Sequence, residues 1–435
     1  MLGNSMDKSL PGWSPTSPPL FYPHRKLEDA CQTCIQHAAE EALNHVPRDS
    51  STGVPWSTLA TKVGKIQDSP ELTSIIVEAV VKRVFGIISH MDKIGEYSSQ
   101  DLIGIGLCDP VRLFVKDEPH ASRKFASGKY RLISAFSIVD QIVDRMLYTL
   151  QNKTEILNWT TCPSKPGLSL ADDGLMIMAE TFQDMLGRGK LRATDISGWD
   201  WSVQEWELWF DAERRIQLAG AEDDDLWSLL VKARTFMISH KVFALPDGEL
   251  VSQILPGVQG SGLFNTSSGN SVMRNGCELV AEEECAEELG IDISGWPLDK
   301  VAMGDDAVAK HTFDEVLVKL KEYGHTVREC EYFTDLDGVE FCSHTWNSLG
   351  LASPNNVAKT LFRFFSHRTS SPDLLGWYVQ LAYELRHVKG IDALLNYARV
   401  WAEDANKSYI NGTSKSANDT EESTSNEPLT SSAAN

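Results

Sequence analysis

The sequence lacks the features of membrane-spanning and secreted proteins. None of its apolar runs approaches the roughly 20 residues that a membrane-spanning helix needs, and the N-terminal "MLGNSMDKSLPGWSPTSPP" is too polar for a signal peptide. The eight cysteines are scattered, which predicts reduced thiols in a cytosolic protein. Cys31, Cys34 and His37 have a metal-like spacing, but no second Cys/His pair follows at zinc-site distance. We therefore expect a helix with incidental cysteines at this point.

The chain also lacks net positive charge. It has 40 Lys and Arg against 61 Asp and Glu, a formal net charge of −21. This total argues against a nucleic-acid-binding protein, because contacts with phosphate dominate such affinity. The distribution is uneven, however: six glutamates concentrate in 277–290, whereas 112–131 contains six Lys and Arg against two acids. A local basic channel in an acidic protein is therefore compatible with the sequence.

Hydrophobic periodicity predicts a mixed protein of helices and strands. A Pro- and Ser-rich extended arm is expected at 1–25, and a Ser/Thr/Asn-rich disordered tail from 404 onward. Helical patterns occupy 27–46, 70–92, 136–151, 201–219, 313–323 and three further segments within 355–403. A strand is predicted at 190–197, strand and loop at 112–134, and hairpins at 300–310 and 337–346.

Two acidic stretches end predicted strands. In "VAMGDDAVAK" the carboxylates of Asp305 and Asp306 stand at a hairpin tip between apolar runs, and in "ATDISGWDWSV" Asp195 closes a strand five residues before Asp200. A lone Asp at a strand end is often a cap or turn residue, and "GDD" also fits a type I′ turn. Two neighbouring strand ends that each deliver a carboxylate can instead hold a pair of Mg²⁺ ions, which prefer hard oxygen ligands. We favour the metal interpretation.

A Gly/Ser-rich loop, "PGVQGSGLFNTSSGNS", lies between these acids and opens a long helix. If the helix starts near Leu263, Thr266 and Asn270 lie one turn apart on the same face, where they could contact a sugar. A flexible linker is the alternative. The basic window offers Lys116, Lys124, Lys129 and Arg131 to hold a triphosphate, and its alternative is a solvated basic surface.

Six stretches together resemble the polymerase motifs of positive-strand RNA viruses, in the expected order. They are "STGVPW" (51–56), "KFASGKYRLI" (124–133), "DISGWD" (195–200), "GSGLFNTSSGN" (260–270), "GDD" (304–306) and "EFCS" (340–343). Within this family, "SGWDWSVQEWE" is most similar to the sobemovirus, polerovirus and barnavirus group.

The resemblance implies an α+β right-hand fold of fingers, palm and thumb, with an antiparallel palm sheet backed by helices. The implied domains lie between the arm at 1–25 and the acidic tail at 404–435. In chain order they are fingers 26–188, palm 189–211, a fingers insertion 212–255, palm 256–347 and thumb 348–403.

The implied activity is RNA-templated ribonucleotidyl transfer to a 3′-hydroxyl, with release of pyrophosphate, for genome replication and transcription. It implies two Mg²⁺ ions, with Mn²⁺ as a substitute, at Asp195, Asp305 and Asp306. The implied nucleotide-binding residues are Lys116, Lys124, Lys129, Arg131, Asp200, Ser261, Thr266 and Asn270. The implied template and primer contacts are Ser51, Gly53, Pro55, Gly260, Phe341, Cys342 and Ser343.

The family often carries a lysine after the fourth palm motif's helix, proposed as the proton donor to pyrophosphate. Here "EYGHTVRECEYF" has none, and Arg328 and His325 are the nearby basic residues. Expected partners are an RNA template with primer or nascent strand, nucleoside triphosphates, a genome-linked protein primer and other viral replication proteins. The expected location is the host cytoplasm, in replication complexes whose membrane association is indirect. A metal-dependent nuclease, a silent RNA-binding scaffold and a reverse transcriptase are the rival interpretations.

Overall fold

The structure is a computed structural model that describes residues 26, 30–116, 126, 128, 130–367 and 373–423. The extended arm predicted at 1–25 lies outside the described residues, as do Lys124 and Lys129. Contacts divide the chain into two compact units. The first contains Met1–Ser169 and Met185–Thr334, and the second contains Leu170–Asp184 and Asp335–Asn435.

Helices form most of the described chain. In the first unit they are Gln32–Asn44, Val63–Gln67, Pro70–His90, Ser99–Gly104, Ile138–Leu157, Trp199–Ser202, Glu205–Ala219, Leu226–Ser239, Thr266–Leu289 and Val316–Glu322, with 3₁₀ turns at Trp56–Thr58 and Met91–Glu96. Asp172–Leu186 spans both units, and Val357–Phe365, Leu374–Glu384 and Asp392–Ser423 belong to the second. The helix expected at 201–219 is two helices, because Gln204 has extended backbone and its N–H donates to the Glu207 Oε2, at 2.6 Å, at the start of the second one. All eight cysteines are free thiols.

The strands are β1 (Val111–Val115), β2 (Leu132–Ala135), β3 (Leu191–Ile196), β4 (Val242–Ala244), β5 (Leu250–Ser252), β6 (Lys300–Met303), β7 (Asp306–Lys310), β8 (Val327–Phe333), β9 (Glu340–Phe341), β10 (His344–Trp346) and β11 (Ala352–Pro354). They form three sheets, ordered β2-β1-β4-β5, β6-β7-β3-β8 and β11-β10-β9. Only the β1–β4 pairing among them is parallel. The predicted mixture of helices with antiparallel sheets is therefore confirmed.

The β6-β7-β3-β8 sheet sets the position of the acidic residues. Thr194 of β3 lies opposite Ala307 of β7, and Met303 pairs with Asp306 across the β6–β7 turn. Asp195 therefore lies at the same sheet edge as the turn that carries Asp305. The predicted strand at 190–197 and hairpin at 300–310 are both confirmed.

Buried ion pairs connect this sheet to the helix Thr266–Leu289. Glu278 accepts hydrogen bonds from Arg192 of β3 and from Arg274 one turn earlier, and all three side chains are buried. Burial alone would raise the pKa of Glu278, but the two guanidinium groups lower it to about 2. The glutamate-rich stretch is therefore partly an internal ion-pair network, with Lys300 similarly paired to Glu282 at 2.5 Å.

In the second unit the predicted hairpin at 337–346 is confirmed as β9 and β10. Its turn residues Cys342 and Ser343 have φ of 51° and 57°, the positive pair that a type I′ turn requires. Phe341 is buried, and its ring packs edge-on at 6.0 Å from that of Phe182. The contacts place 335–347 in this unit.

Residues 404–423, which we expected to be disordered, continue the helix Asp392–Ser423. Ala398 and Ala402 of this helix are buried against the apolar cluster of the second unit. Extending an existing helix fixes only one residue for each added hydrogen bond, so a polar segment can follow a packed one. The rest of the predicted tail, 424–435, lies outside the described residues.

We predict that Glu278→Gln destabilises the protein by about 3–5 kcal/mol, because it leaves two buried guanidinium groups without their carboxylate. The exposed Glu287→Gln on the same helix is the matched control and should change stability little. Urea unfolding of both variants measures the difference. Equal stability losses would contradict the prediction.

The difference in stability between wild type and Glu278→Gln should depend on pH, because folding shifts the pKa of Glu278. Because folding lowers the pKa of Glu278 from 4.5 to about 2, its contribution is complete above the unfolded value and is lost as pH falls toward 2. The stability gap between wild type and Glu278→Gln should therefore narrow over that range.

Candidate active site

The turn between β6 and β7 presents Asp305 to solvent. Gly304 has a φ of +67°, whereas Asp305 has no positive φ, so the turn is not the type I′ that "GDD" also fits. The Gly304 N–H donates to the Oγ of Ser271, at 2.9 Å, on the helix Thr266–Leu289. Ser271 is fully buried and holds this turn in place, a role that no sequence motif indicated.

Asp195 lies near the end of β3, where the pairing with β8 shifts register between Asp195 and Ile196. Arg328 of β8 donates a hydrogen bond to the Asp195 carboxylate. Partial burial raises the pKa of Asp195, the nearby Asp305 carboxylate raises it further, and Arg328 opposes both effects. The two aspartates are therefore close enough to interact electrostatically.

Asp200 lies in the short helix that follows β3 and joins the same site. Its Oδ1 accepts a hydrogen bond from the Asn270 amide at 2.8 Å. Burial raises the pKa of Asp200, the Asn270 hydrogen bond lowers it, Asp305 adds to the increase, and Arg131 opposes it. The structure thus brings Asp200, Asn270, Asp305 and Arg131 together.

The donor set of this site fits a divalent cation. Asp195 and Asp305 supply carboxylate oxygens, the ligands that Mg²⁺ prefers, and the Asp305 carboxylate makes ionisation of Asp195 less favourable. Asp306 begins β7 and is partly buried beside them. A cation would offset the mutual repulsion that Arg328, Arg131 and the Asn270 hydrogen bond oppose within the protein.

The Gly/Ser-rich loop packs directly on β2. A Cβ on Gly262 would lie 2.1 Å from the Ser134 carbonyl oxygen, so only glycine permits this approach. The Ser261 Oγ accepts from the Ser134 N–H at 3.0 Å, and the Thr266 Oγ1 donates to the Gly260 carbonyl at 2.6 Å. Ser261 and Thr266 thus use hydrogen bonds to hold the loop, which begins its helix at Thr266 and not at Leu263.

The basic window is described only in part. Arg131 is exposed at the start of β2, and its carbonyl accepts from the N–H of the partly buried Lys116 at 2.8 Å. Lys124 and Lys129 lie outside the described residues. The structure therefore places two of the four predicted triphosphate ligands side by side across β1 and β2.

The predicted template residues of the first unit meet at Phe136. A Cβ on Gly53 would lie 2.7 Å from the Phe136 carbonyl oxygen, and a Cβ on Gly260 only 2.4 Å from its ring. Ser51 and Pro55 are exposed on the loop that carries Gly53. The predicted primer contacts Phe341, Cys342 and Ser343 lie in the β9–β10 hairpin of the second unit.

His325 is not available as a proton donor at the carboxylates. It is fully buried, with its Nε2 2.9 Å from Glu207 Oε1 and its Nδ1 2.9 Å from Ser202 Oγ. With Cys277 it forms a group of three possible metal ligands. Structural zinc sites usually have four ligands, and these three already hydrogen-bond one another. Of the two basic residues considered, Arg328 is the one that contacts Asp195.

Carboxylates at the ends of neighbouring strands, with Arg328 bound to Asp195 and Arg131 near Asp200, are typical of enzymes of phosphoryl transfer. None of the helices in the described part of the chain is both long and apolar enough to cross a membrane. The family model described as "Viral RNA-directed RNA-polymerase" matches residues 88–353.

Three relatives are similar to most of the chain. The RNA-directed RNA polymerase of Mushroom bacilliform virus is 40% identical over 349 residues, which cover 79% of this chain and 80% of the relative. Replicase polyprotein P2AB of Southern bean mosaic virus is 42% identical over 73% of the chain, and Protein P1-P2 of Potato leafroll virus is 34% identical over 83%. The matches span only 31% and 34% of these two longer proteins.

The chain belongs to the family of viral RNA-directed RNA polymerases, which copy an RNA template into RNA. The predicted resemblance, including its barnavirus, sobemovirus and polerovirus group, is confirmed.

We predict that Ser271→Ala lowers nucleotide incorporation about tenfold with a modest fall in melting temperature. The Gly304 N–H would lose its acceptor, at a cost of about 1–3 kcal/mol, and the turn that carries Asp305 would no longer be fixed. Ser74→Ala, exposed on the helix Pro70–His90, is the control. The prediction fails if both variants lose the same activity or if neither does.

Proposed function

We propose that this chain extends an RNA 3′-hydroxyl by one templated ribonucleotide at a time, with the β6-β7-β3-β8 sheet as the palm. The observation that carries the proposal is the convergence of Asp195 and Asp305 at one sheet edge, between Arg328 and Arg131. In this assignment the palm is 189–211 and 256–347. The fingers are 26–188 and 212–255, and the thumb is 348–403.

Asp195 and Asp305 would hold two Mg²⁺ ions, and Asp306 would be a secondary ligand. When bound, such ions lower the pKa of the attacking hydroxyl and neutralise charge on the leaving pyrophosphate. Arg328 would leave Asp195 for the triphosphate. Since a guanidinium stays protonated at neutral pH, Arg328 would neutralise the phosphates without donating a proton to them.

The incoming nucleotide would contact two parts of the site. Arg131 and Lys116, with Lys124 and Lys129, would neutralise the triphosphate. Asp200 and Asn270 would recognise the ribose, because their hydrogen-bonded pair offers a carboxylate oxygen to accept from the 2′-hydroxyl. A deoxyribose would leave these partly buried groups without a partner, which costs free energy. Ser261 and Thr266 would support recognition by holding the loop.

The remaining assignments concern RNA and the cell. Ser51, Gly53, Pro55 and Gly260 would contact the template, and Phe341, Cys342 and Ser343 the primer. We further propose that the enzyme acts with a genome-linked protein primer and other viral replication proteins. Its location would be the host cytoplasm, in membrane-associated replication complexes.

We predict that Asp195→Asn or Asp305→Asn abolishes primer extension on a defined RNA template while the protein stays folded. Loss of a metal ligand in the transition state costs several kcal/mol, and each 1.36 kcal/mol is about tenfold in rate. Asp306→Asn should be milder and shift the preference toward Mn²⁺. The exposed Asp92→Asn controls for loss of charge alone. Full Mg²⁺-dependent extension by Asp305→Asn would contradict the assignment.

We predict that Arg131→Ala raises the apparent KM for all four nucleotides or lowers turnover, and leaves RNA affinity nearly unchanged. Arg131→Lys should restore little, because an ammonium cannot replace a bidentate guanidinium contact with phosphate. Steady-state incorporation on a primed template is paired with an RNA-binding titration at fixed salt. A tenfold loss of RNA affinity with unchanged nucleotide kinetics would place Arg131 on the template path instead.

A further inference from the structure

Lys241 has a buried side-chain amino group held by backbone carbonyl groups. It lies between the helix Leu226–Ser239 and β4 and is 2% exposed. Its Nζ donates to the carbonyl oxygens of Gly257 at 2.9 Å and Val258 at 2.6 Å, and also to that of Ile238. Among the described residues no carboxylate pairs with it, unlike the buried Lys300 and Arg274.

Burying a charged group without a counter-ion costs free energy. We therefore expect Lys241 to stabilise the backbone segment whose carbonyl groups it contacts. Burial lowers the pKa of Lys241 to about 7. The three carbonyl groups oppose this effect, because an ammonium has one N–H for each of them. Two of the three carbonyl groups, those of Gly257 and Val258, belong to the Gly/Ser-rich loop. Lys241 therefore contacts mainly this loop.

The backbone that Lys241 holds is in an unfavourable conformation. Gly257 has a φ of 125°, and Val258 has a φ of 60°, which is rare and strained for a β-branched residue. A Cβ on Gly257 would lie 2.5 Å from the Val203 carbonyl oxygen. Such a conformation persists only where surrounding contacts fix it, and two of those contacts come from Lys241.

The same segment is hydrogen-bonded to the residues around Asp200. The Val258 N–H donates to the Val203 carbonyl at 2.7 Å, and the Gln259 N–H donates to the Asp200 carbonyl at 2.8 Å. The loop 257–259 therefore lies between Lys241 on one side and the backbone of Asp200 on the other. Asp200 in turn accepts from Asn270, the pair proposed above to recognise ribose.

We infer that Lys241 is a positioning residue for sugar selection: it fixes the loop 257–259 against Asp200 and thereby sets the discrimination between ribonucleotides and 2′-deoxyribonucleotides. The inference rests on the proposed function of the site. Without the ammonium, residues 257–259 relax, the Gln259 N–H no longer fixes the Asp200 backbone, and the contact to the 2′-hydroxyl weakens. Incorporation of ribonucleotides then falls more than that of deoxyribonucleotides, which have no such contact to lose.

The test compares Lys241→Met with Lys165→Met in primer extension with matched ribo- and deoxyribonucleoside triphosphates. Lys165 is equally buried, and its Nζ donates to the Trp159 carbonyl at 2.9 Å, away from the loop. The measured quantity is the ratio of kcat/KM for the two sugars. This ratio does not depend on the fraction of folded enzyme, because both substrates report on the same active molecules.

We expect the ratio to fall about ten- to a hundredfold in Lys241→Met, the scale of a small misplacement of a binding group, and to stay within twofold in Lys165→Met. An unchanged ratio in Lys241→Met, or equal falls in both variants, would overturn the inference. If Lys241→Met is insoluble, Lys241→Gln, which keeps two N–H donors, is judged by the same ratio. Absence of templated incorporation by the wild-type chain would instead contradict the proposed function, and the inference with it.

Discussion

Mutual repulsion among carboxylates is the constraint on which the site depends. Asp195, Asp200 and Asp305 lie close enough that Asp305 raises the pKa of the other two, and partial burial raises these pKa values further. The protein offsets this cost locally with Arg328 and Arg131. A divalent cation would offset it more completely, since like charges at a sheet edge are most stable when a cation lies between them.

The helix Thr266–Leu289 holds these acids in position. Asn270, Arg274 and Glu278 repeat every four residues and share one face. On that face, Asn270 contacts Asp200, and Arg274 and Glu278 contact β3. Ser271 of the same helix fixes the turn that carries Asp305. Movement of this one helix would therefore displace both sides of the site.

The sequence predicted the strand at 190–197, the hairpins and the convergence of the acids, because period-two apolar patterns and turn residues are local signals. It could not distinguish Glu278 and Glu282, which are buried in ion pairs, from the other four glutamates of 277–290. Residue type alone does not show which side chains are buried. It also did not reveal the roles of Ser271 and Lys241. Ser271 accepts from Gly304, 33 residues away, and Lys241 donates to Gly257 and Val258, 16 and 17 residues away. The helical continuation past 404 was missed because composition alone does not show that a packed helix precedes a polar segment.

The proposed function requires that Asp195 and Asp305 form one cation site. Binding of Mn²⁺, as a spectroscopic substitute for Mg²⁺, can be measured by electron paramagnetic resonance on the nucleotide-free protein. We expect binding by the wild-type chain and at least a tenfold loss of affinity in Asp305→Asn, with the fold unchanged by circular dichroism. Identical binding curves for the two proteins would contradict it.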